Sequence, residues 1–283
     1  MEKKYVVGVD LGGTKIYTAL VDLEGNMIKE KTVETLAHEG DNAVLGRIFD
    51  TINYVLDGIN KDEVKAIGIG SPGPLDVKKG MIVETPNLPF KNFAIVDAVR
   101  EQFNLPTYLD NDANVATLGE FMFGAGKGTE NMVFVTVSTG IGGGAVLNGK
   151  LFRGSTGNAL EIGHTTIETI GARCGCGNAG CAEGMASGTA IGKRAKEAVA
   201  TNARTALKNY ENVSSKEVFI EAANGDRVAK EILTTSLNYL GITIANVIST
   251  LDPEKVVMGG GVINGGEIVI ETVKAVVAGR CMS

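Results

Sequence analysis

Three cysteines and one histidine form the most specific chemical pattern in the chain. His164, Cys174, Cys176 and Cys181 follow the spacing H-x9-C-x-C-x4-C, with glycines between the cysteines. Three thiolates and one imidazole are the donor set of a closed, tetrahedral, structural zinc site. A disulfide is the poorer interpretation for a cytoplasmic chain, and the distant Cys281 is interpreted as an ordinary thiol. We therefore expect the four residues to bind structural Zn²⁺.

Two carboxylates flank this pattern. Glu161 precedes His164 by three residues, and Glu183 follows Cys181 by two. A metal that fixes the loop also fixes these carboxylates, which are good acceptors for sugar hydroxyl groups. Their spacing leaves open the alternative that both are solvated loop residues.

A second acidic group follows a short apolar segment, in YLDNDANVA. Phosphoryl transfer to a hydroxyl group requires a positioned acceptor for the departing proton, and Asp110 and Asp112 both lie where a strand is expected to meet a helix. An aspartate at such a junction is also a common helix cap, so this alternative stays open for either residue. Asp10 is a candidate for ordering a water bound to Mg²⁺, or else it stabilises a turn.

Two glycine-rich segments resemble nucleotide-binding loops without having their context. GVDLGGTK, residues 8–15, resembles the P-loop with its last two residues exchanged, but β-strand patterns follow at 16–21 and 27–33 where a P-loop requires a helix. GIGGGA, residues 140–145, fits G-x-G-x-x-[GA], yet a hairpin centred on Asn148-Gly149 follows. We interpret both as glycine turns in strand-turn-strand units.

Hydrophobic periodicity predicts an α/β protein in which these units recur. Helices are expected at 41–59, 95–103, 111–123, from about 187, at 226–249 and from about 266; further strands are expected at 64–70, 107–110, 132–138 and 255–261. The repetition predicts two related α/β lobes, residues 1–118 and 119–283, that face a cleft and hold phosphates with backbone amides from both sides. The alternative is that the repeated strand-turn units only reflect the common construction of α/β proteins.

Composition narrows the functional class. The chain has 283 residues, 38 of them glycine, and a net charge of −6. The absence of a basic run argues against nucleic acid as the main partner. No apolar stretch of about 18 residues and no signal pattern is apparent, so we expect a soluble cytoplasmic protein without membrane contact.

Together these motifs resemble the ROK family of sugar kinases, most closely its bacterial glucokinases. The resemblance rests on DLGGTK, LDNDAN, VFVTVSTGIGGGAVLNGKLFRGSTGNALEIGH, CGCGNAGCAE and VVMGGGV. It implies a two-lobed, actin-like, ribonuclease-H-related fold whose sheets each contain a β-hairpin, with a central cleft for sugar and ATP-Mg²⁺. It also implies glucose phosphorylation in glycolysis by a homodimer, with Asp112 as the general base toward the 6-hydroxyl.

The resemblance assigns further roles. Sugar contacts would be made by Asn111, Asp112, Glu161, His164, Glu183, Gly73 and Asn87. The phosphates of ATP would contact Asp10, Gly12, Gly13, Thr14, Lys15, Thr139, Gly140 and Gly142, and the adenosine would contact Gly259, Gly260 and Gly261.

The chain departs from the family pattern in two places. Leu160 replaces a usual glycine, and the sequence stops at Ser283, before the expected last strand and helix. Three alternatives remain: a kinase for mannose, fructose or N-acetylmannosamine; a non-catalytic sugar-binding protein; and a sugar-responsive repressor. The repressor is disfavoured because a strand is expected from about Tyr5, which leaves no helix-turn-helix before it.

Overall fold

The computed structural model describes residues 2–85 and 87–281. The chain divides into two compact units, Met1–Ala116 and Thr117–Ser283, which we call the first and second unit. Their boundary falls within the helix that also contains the expected boundary at residue 118.

Strands and helices alternate through both units. The strands are β1 (Tyr5–Leu11), β2 (Lys15–Asp22), β3 (Met27–Glu34), β4 (Val64–Ser71), β5 (Leu75–Asp76), β6 (Met81–Glu84), β7 (Lys91–Phe93), β8 (Thr107–Asn111), β9 (Met132–Val137), β10 (Ile141–Leu147), β11 (Lys150–Leu151) and β12 (Lys255–Gly259). The α-helices are α1 (Asp41–Leu56), α2 (Ile95–Phe103), α3 (Asp112–Met122), α4 (Ala182–Ala186), α5 (Gly188–Ala200), α6 (Ser215–Ala223), α7 (Arg227–Leu251) and α8 (Glu267–Ala278).

The main sheet of the first unit has the order β3-β2-β1-β4-β8. Strands β1, β2 and β3 form an antiparallel meander, while β4 and β8 run parallel to β1. Because a strand and not a helix follows the first glycine turn, the rejection of a P-loop is confirmed.

The sheet of the second unit repeats this arrangement as β11-β10-β9-β12. Strands β9, β10 and β11 are antiparallel, and β12 runs parallel to β9. Asn148 and Gly149 both have positive φ, at 52° and 70°, the conformation of a tight type I′ hairpin turn. The predicted α/β class with a hairpin in each sheet is therefore confirmed.

Each unit has its own hydrophobic core. In the first, fully buried Ile48 and Ile52 of α1 pack with Leu20 of β2, and in the second, β9 packs with the apolar face of α7. Helix α7 is long and apolar enough, by length and composition alone, to cross a bilayer, a segment that the sequence analysis did not single out. Of its most apolar window 56% is buried, as in the core helix of a water-soluble protein.

Three local features differ from the sequence-based expectation. The second glycine turn is shorter than predicted, because β10 already begins at Ile141 and contains Gly142. Strand β12 ends at Gly259, because Gly260 has a φ of +94° that no regular strand adopts. The three-stranded sheet β5-β6-β7 was not predicted, since its strands have only two to four residues.

Candidate active site

The first glycine turn connects β1 to β2 and is held from its carbonyl side. Thr35, which is fully buried, donates its amide to the Thr14 oxygen at 2.9 Å and its hydroxyl to the Gly12 oxygen at 2.6 Å. Within residues 2–85 and 87–281, no acceptor contacts the amides of Gly13 and Thr14. This leaves two backbone donors suited to an anion.

Strand register brings the acidic residues of the first unit to the same edge of its sheet. Asp10 lies level with Gly70, which lies level with Asp110, and all three strands are parallel. The carboxyl ends of such strands form the usual ligand-binding edge of an α/β sheet. A Cβ atom on Gly70 would lie 3.8 Å from Cα of Asp112, so α3 begins over this edge.

Asp110 and Asp112 occupy different environments. Asp110 is buried and accepts a hydrogen bond from Nδ2 of Asn114 at 2.9 Å, so it holds α3 to β8. Asn111 caps α3, since its Oδ1 accepts from the amides of Ala113 and Asn114. Asp112 is exposed on the first turn of α3, and its Oδ1 accepts from the amide of Ala113 at 2.8 Å. Of the two aspartates, Asp112 can therefore reach a ligand.

Asp10 is electrostatically coupled to Asp112. Its side chain retains contact with solvent, but the surrounding protein desolvates the carboxyl group enough to raise its pKa. The negative charge of Asp112 raises the pKa further, and Lys15 opposes the shift. A carboxyl group whose pKa is raised beside a second carboxylate suits a site that receives a cation.

Asn87 lies against the same turn. A Cβ atom on Gly13 would lie 2.6 Å from Cβ of Asn87, so this approach requires glycine. Gly73 lies in the loop after β4 and precedes a cis peptide bond to Pro74. The first unit thus places the turn, Asp10 and Asn111–Asp112 at the edge where β1, β4 and β8 end, with Asn87 against the turn.

The equivalent turn of the second unit, Ser138–Gly140, is joined to α5. The amide of Gly188 donates to the Ser138 oxygen at 2.8 Å, and that of Thr189 to the Thr139 oxygen at 3.3 Å. Ser187 caps α5 through its side chain, which accepts from the amide of Ala190. The turn and the helix are therefore fixed to each other.

A cavity of about 790 Å³ opens beside this turn. It is lined by Ser138, Thr139, Gly188, Thr189, Gly192, Lys193, Lys196, Val213, Ser214, Ser215, Lys216, Phe219, Ile220, Gly261, Val262, Asn264 and Gly265. Of the three expected adenosine-side glycines, Gly261 is in this lining. Gly260 has a backbone role instead, since a Cβ atom there would lie 2.4 Å from the Val137 oxygen. Gly259 packs against the ring of Phe134.

Sequence reasoning missed most of this lining. Lys193 and Lys196 recur at helical spacing on α5, and Ser214 forms a capping box with Glu217 at the start of α6. The S-x-x-E sequence at 214–217 was the available signal for that helix. The two lysines of α5 gave no sequence signal of a cavity, because lysines on a solvent-exposed helix face have the same spacing.

The structure brings the four predicted zinc ligands together. Their donor atoms all lie within 4.8 Å of one another. Sγ of Cys176 lies 3.7 Å from Sγ of Cys181, and Sγ of Cys174 lies 3.7 Å from Nδ1 of His164. Tetrahedral zinc with thiolates at about 2.3 Å requires sulfur atoms about 3.8 Å apart. Donor set and spacing therefore fit zinc.

The thiols of this cluster differ in acidity. A hydrogen bond from the backbone of Asn178 lowers the pKa of Cys176 to about 7, whereas burial raises the pKa of Cys181 to about 12. Burial also raises the pKa of Cys174. Metal binding must displace the protons from the two buried thiols, so zinc affinity will depend on pH.

Glu183 connects the cysteine cluster to the second glycine turn. Its Oε2 accepts from the amide of Ile141 at 3.1 Å, and its Oε1 lies 3.6 Å from Sγ of Cys174. A Cβ atom on Gly140 would lie 2.4 Å from Oε2. Glu183 is thus a bonded carboxylate and not a solvated loop residue.

Glu161 and His164 are exposed at opposite ends of one short 3-10 turn. Leu160 before them has a φ of +63°, the left-handed region that favours glycine, and it packs against the core of the second unit. Leu160 therefore adopts a backbone conformation that favours glycine, at a cost in strain.

The comparisons with known proteins agree with these features. A family model described as the ROK family matches residues 6–283. The chain belongs to the ROK family. Its fold is accordingly the actin-like fold of ATPases and sugar kinases.

Individual ROK relatives cover most of the chain. It is 37% identical over 281 residues to a glucokinase of Halalkalibacterium halodurans, covering 97% of this chain and 85% of the relative. It is 32% identical to a xylose repressor of Caldicellulosiruptor bescii, in a match that covers 97% of this chain and 70% of the repressor. The chain also matches a crystal structure of a ROK family glucokinase from Streptomyces griseus in complex with glucose and AMPPNP. The TM-score is 0.82 and the identity 32%, and the match covers 99% of this chain and 90% of the glucokinase.

Proposed function

We propose that the protein is an ATP-dependent glucokinase that converts glucose to glucose 6-phosphate. The observation that carries this proposal is the exposed carboxylate of Asp112 at the sheet edge that also contains Asp10 and the glycine turn. The similarity to a glucokinase at 37% identity, and to a glucokinase crystallised with glucose and AMPPNP, supports glucose and ATP as substrates.

In this mechanism Asp112 is the general base. Its carboxylate accepts the proton of the glucose 6-hydroxyl as that oxygen bonds to the γ-phosphorus of ATP, and the bond from that phosphorus to the β,γ-bridging oxygen breaks to release ADP. Mg²⁺, when bound with ATP, neutralises the charge of the phosphates. Asp10 would hold a water molecule bound to that cation, whose positive charge would oppose the desolvation and the Asp112 charge that raise the pKa of Asp10.

The remaining residues bind the substrates. Asn111, Glu161, His164 and Glu183 bind the other sugar hydroxyls, with Gly73 and Asn87 beside them. The phosphates lie against Gly12, Gly13, Thr14, Lys15, Thr139, Gly140 and Gly142. The cavity beside α5 and α6 receives the adenosine. Lys193, Lys196 and Lys216 line this cavity and attract the phosphates of ATP. In this assignment Gly261 contacts the adenosine, while Gly259 and Gly260 shape the turn behind it.

Zinc, bound by His164, Cys174, Cys176 and Cys181, has a structural role in the proposal. With Nδ1 of His164 directed toward Cys174, Nε2 is the nitrogen left for a sugar hydroxyl. Ligation fixes that tautomer, because the metal-bound nitrogen cannot carry a proton. We also propose a cytoplasmic homodimer, which light scattering tests against the chain mass of 29.5 kDa.

A coupled assay of ADP release tests the function. The purified chain is given ATP-Mg²⁺ with glucose, mannose, fructose, N-acetylmannosamine and xylose in turn. We expect the highest kcat/KM with glucose. Faster turnover of another hexose would identify that sugar, instead of glucose, as the substrate. If glucose binds measurably but no sugar causes ADP release, the result would favour a binding protein or a repressor-like role.

A further inference from the structure

Arg194 is a largely buried cation of α5 that the proposed reaction does not use directly. Its guanidinium donates to the carbonyl oxygen of Met185 and, at 2.7 Å, to the hydroxyl of the fully buried Ser236 on α7. Burial lowers the pKa of Arg194 below its ordinary value, with Tyr239 and Glu197 opposing the shift. Arginine remains charged in proteins, so this contact is charge-assisted.

The contact to Met185 caps a very short helix. Helix α4 has five residues, too few to be stable by itself, and its last carbonyl groups lack partners within the helix. A cation that donates to such a carbonyl also interacts favourably with the helix dipole. Helix α4 begins directly after Cys181 and carries Glu183, so Arg194 joins the helix that bears a proposed sugar ligand to the long helix α7.

Further contacts extend from the same point into the cysteine loop. The thioether of Met185 accepts from the amide of Ala172 at 3.3 Å. The Arg194 guanidinium lies 5.9 Å from the ring centroid of Tyr239, whose hydroxyl donates to Glu168 at 3.4 Å. The segment before the cysteines and the helix after them are thus held by groups that surround one guanidinium.

We propose that Arg194 is a positioning residue that fixes α4, and through it sets Glu183 against the amide of Ile141 and toward the sugar. The part of this inference that concerns the sugar rests on the proposed function. Arg194 touches neither substrate in this account, and its effect passes through the orientation of one carboxylate.

The test compares Arg194→Met and Arg194→Lys with wild type in steady-state kinetics. We expect Arg194→Met to raise KM for glucose about tenfold, the equivalent of one charge-assisted hydrogen bond, with KM for ATP unchanged. Arg194→Lys, which keeps the charge and one donor, should recover part of the affinity. A merely structural role lowers the active fraction and hence the apparent kcat, and leaves both KM values unchanged.

Hydrogen exchange of the Ile141 amide, followed by NMR, gives a readout that does not depend on activity. Its protection should fall in Arg194→Met because Glu183 loses its fixed position. Ser236→Ala removes only one contact of Arg194 and provides a milder variant if Arg194→Met does not fold. Arg227→Met is the control, since Arg227 lies on α7 with a side chain that is 82% exposed.

These measurements separate the two proposals. Faster Ile141 exchange with unchanged KM for glucose would support the positioning role and count against Glu183 as a sugar ligand. Unchanged exchange in Arg194→Met and Ser236→Ala would overturn the positioning role whatever the substrate is. An inactive wild type would refute the proposed function, while the exchange measurement would still decide the role of Arg194.

Discussion

Asp10 and Asp112 are neighbouring carboxylates to which the proposed mechanism gives roles, and their proximity has a cost in stability. The raised pKa of Asp10 means that the folded state holds its proton more tightly than the unfolded state does. Above that pKa, ionised Asp10 lowers the stability of the fold, and this loss develops as the pH rises through and above the ordinary range of an aspartate. Part of the effect is the charge of Asp112.

We therefore expect Asp10→Asn to be at least as stable as wild type at pH 7, with its relative advantage shrinking toward pH 4. Turnover should nevertheless fall about 100-fold, as for loss of one electrostatic stabiliser of a transition state. Urea unfolding at both pH values and a kinetic assay provide the measurements.

Asp22→Asn is the control, because the pKa of Asp22 is lowered where that of Asp10 is raised. Hydrogen bonds from Asn26 lower the pKa of Asp22, so its ionised form contributes stability above the ordinary pKa that is lost as the pH falls. Asp22→Asn should lose stability at pH 7 and retain activity. An Asp10→Asn variant less stable than wild type at pH 7 would contradict the electrostatic account.

At this scale the sequence predicted residue types better than their roles. It placed Asp110 and Asp112 at a strand-helix junction, but only the hydrogen bond from Asn114 to Asp110 separates the structural from the exposed carboxylate. Arg194 gave no signal, because an arginine on an amphipathic helix is typical of a solvent-exposed surface. Its burial depends on α4 and α7, which are distant in sequence.

At the element scale, backbone geometry shapes the cysteine loop that carries the proposed zinc site. Gly180 has a φ of +70°, and a Cβ atom there would lie 1.5 Å from the Glu168 oxygen. For Gly175 in the same loop, no atom of the described residues beyond its chain neighbours lies within 4 Å of such a Cβ. The two glycines therefore differ in whether the fold requires them.

We expect Gly180→Ala to destabilise the loop by more than about 2 kcal/mol, from left-handed strain plus the clash, and to lose zinc. Gly175→Ala should retain about one zinc per chain and wild-type stability. Metal analysis and thermal unfolding distinguish the two, and equal zinc content in both variants would show that loop geometry does not control the site.

Cys176→Ser tests the metal itself. Removal of one of four ligands should release zinc and, because the same loop fixes His164 and Glu183, weaken glucose binding. Zinc content and calorimetric glucose binding are measured on the same sample. Undiminished glucose binding without metal would refute the scaffold role.

Elements with strong periodicity were predictable, and those defined by tertiary contacts were not. The expected helices at 95–103 and 226–249 correspond to α2 and α7 within two residues at each end. The strands β5, β6 and β7 have too few residues to show alternation. The second glycine turn was predicted too long, because Gly143, which makes room inside β10 for the Ile162 side chain and the Leu160 carbonyl, resembles a turn glycine in sequence.

At the scale of the whole molecule, one strand order occurs twice. Each sheet has a hairpin followed by a parallel strand, and each unit carries its own glycine turn. The proposed mechanism gives the two units different roles. Asp112 of the first unit removes a proton, and the second unit binds the sugar through Glu161, His164 and Glu183.

Asp112→Asn tests this division most directly, with Asp41→Asn as its control. Asp41 is also the first residue of a helix, and its Oδ1 accepts from the next amide at 2.8 Å, as that of Asp112 does. The account predicts that Asp112→Asn binds glucose with wild-type affinity by calorimetry while kcat falls at least ~100-fold, and that Asp41→Asn is unchanged in both. A kcat for Asp112→Asn within a few-fold of wild type would contradict the account, since no other residue in it accepts the proton.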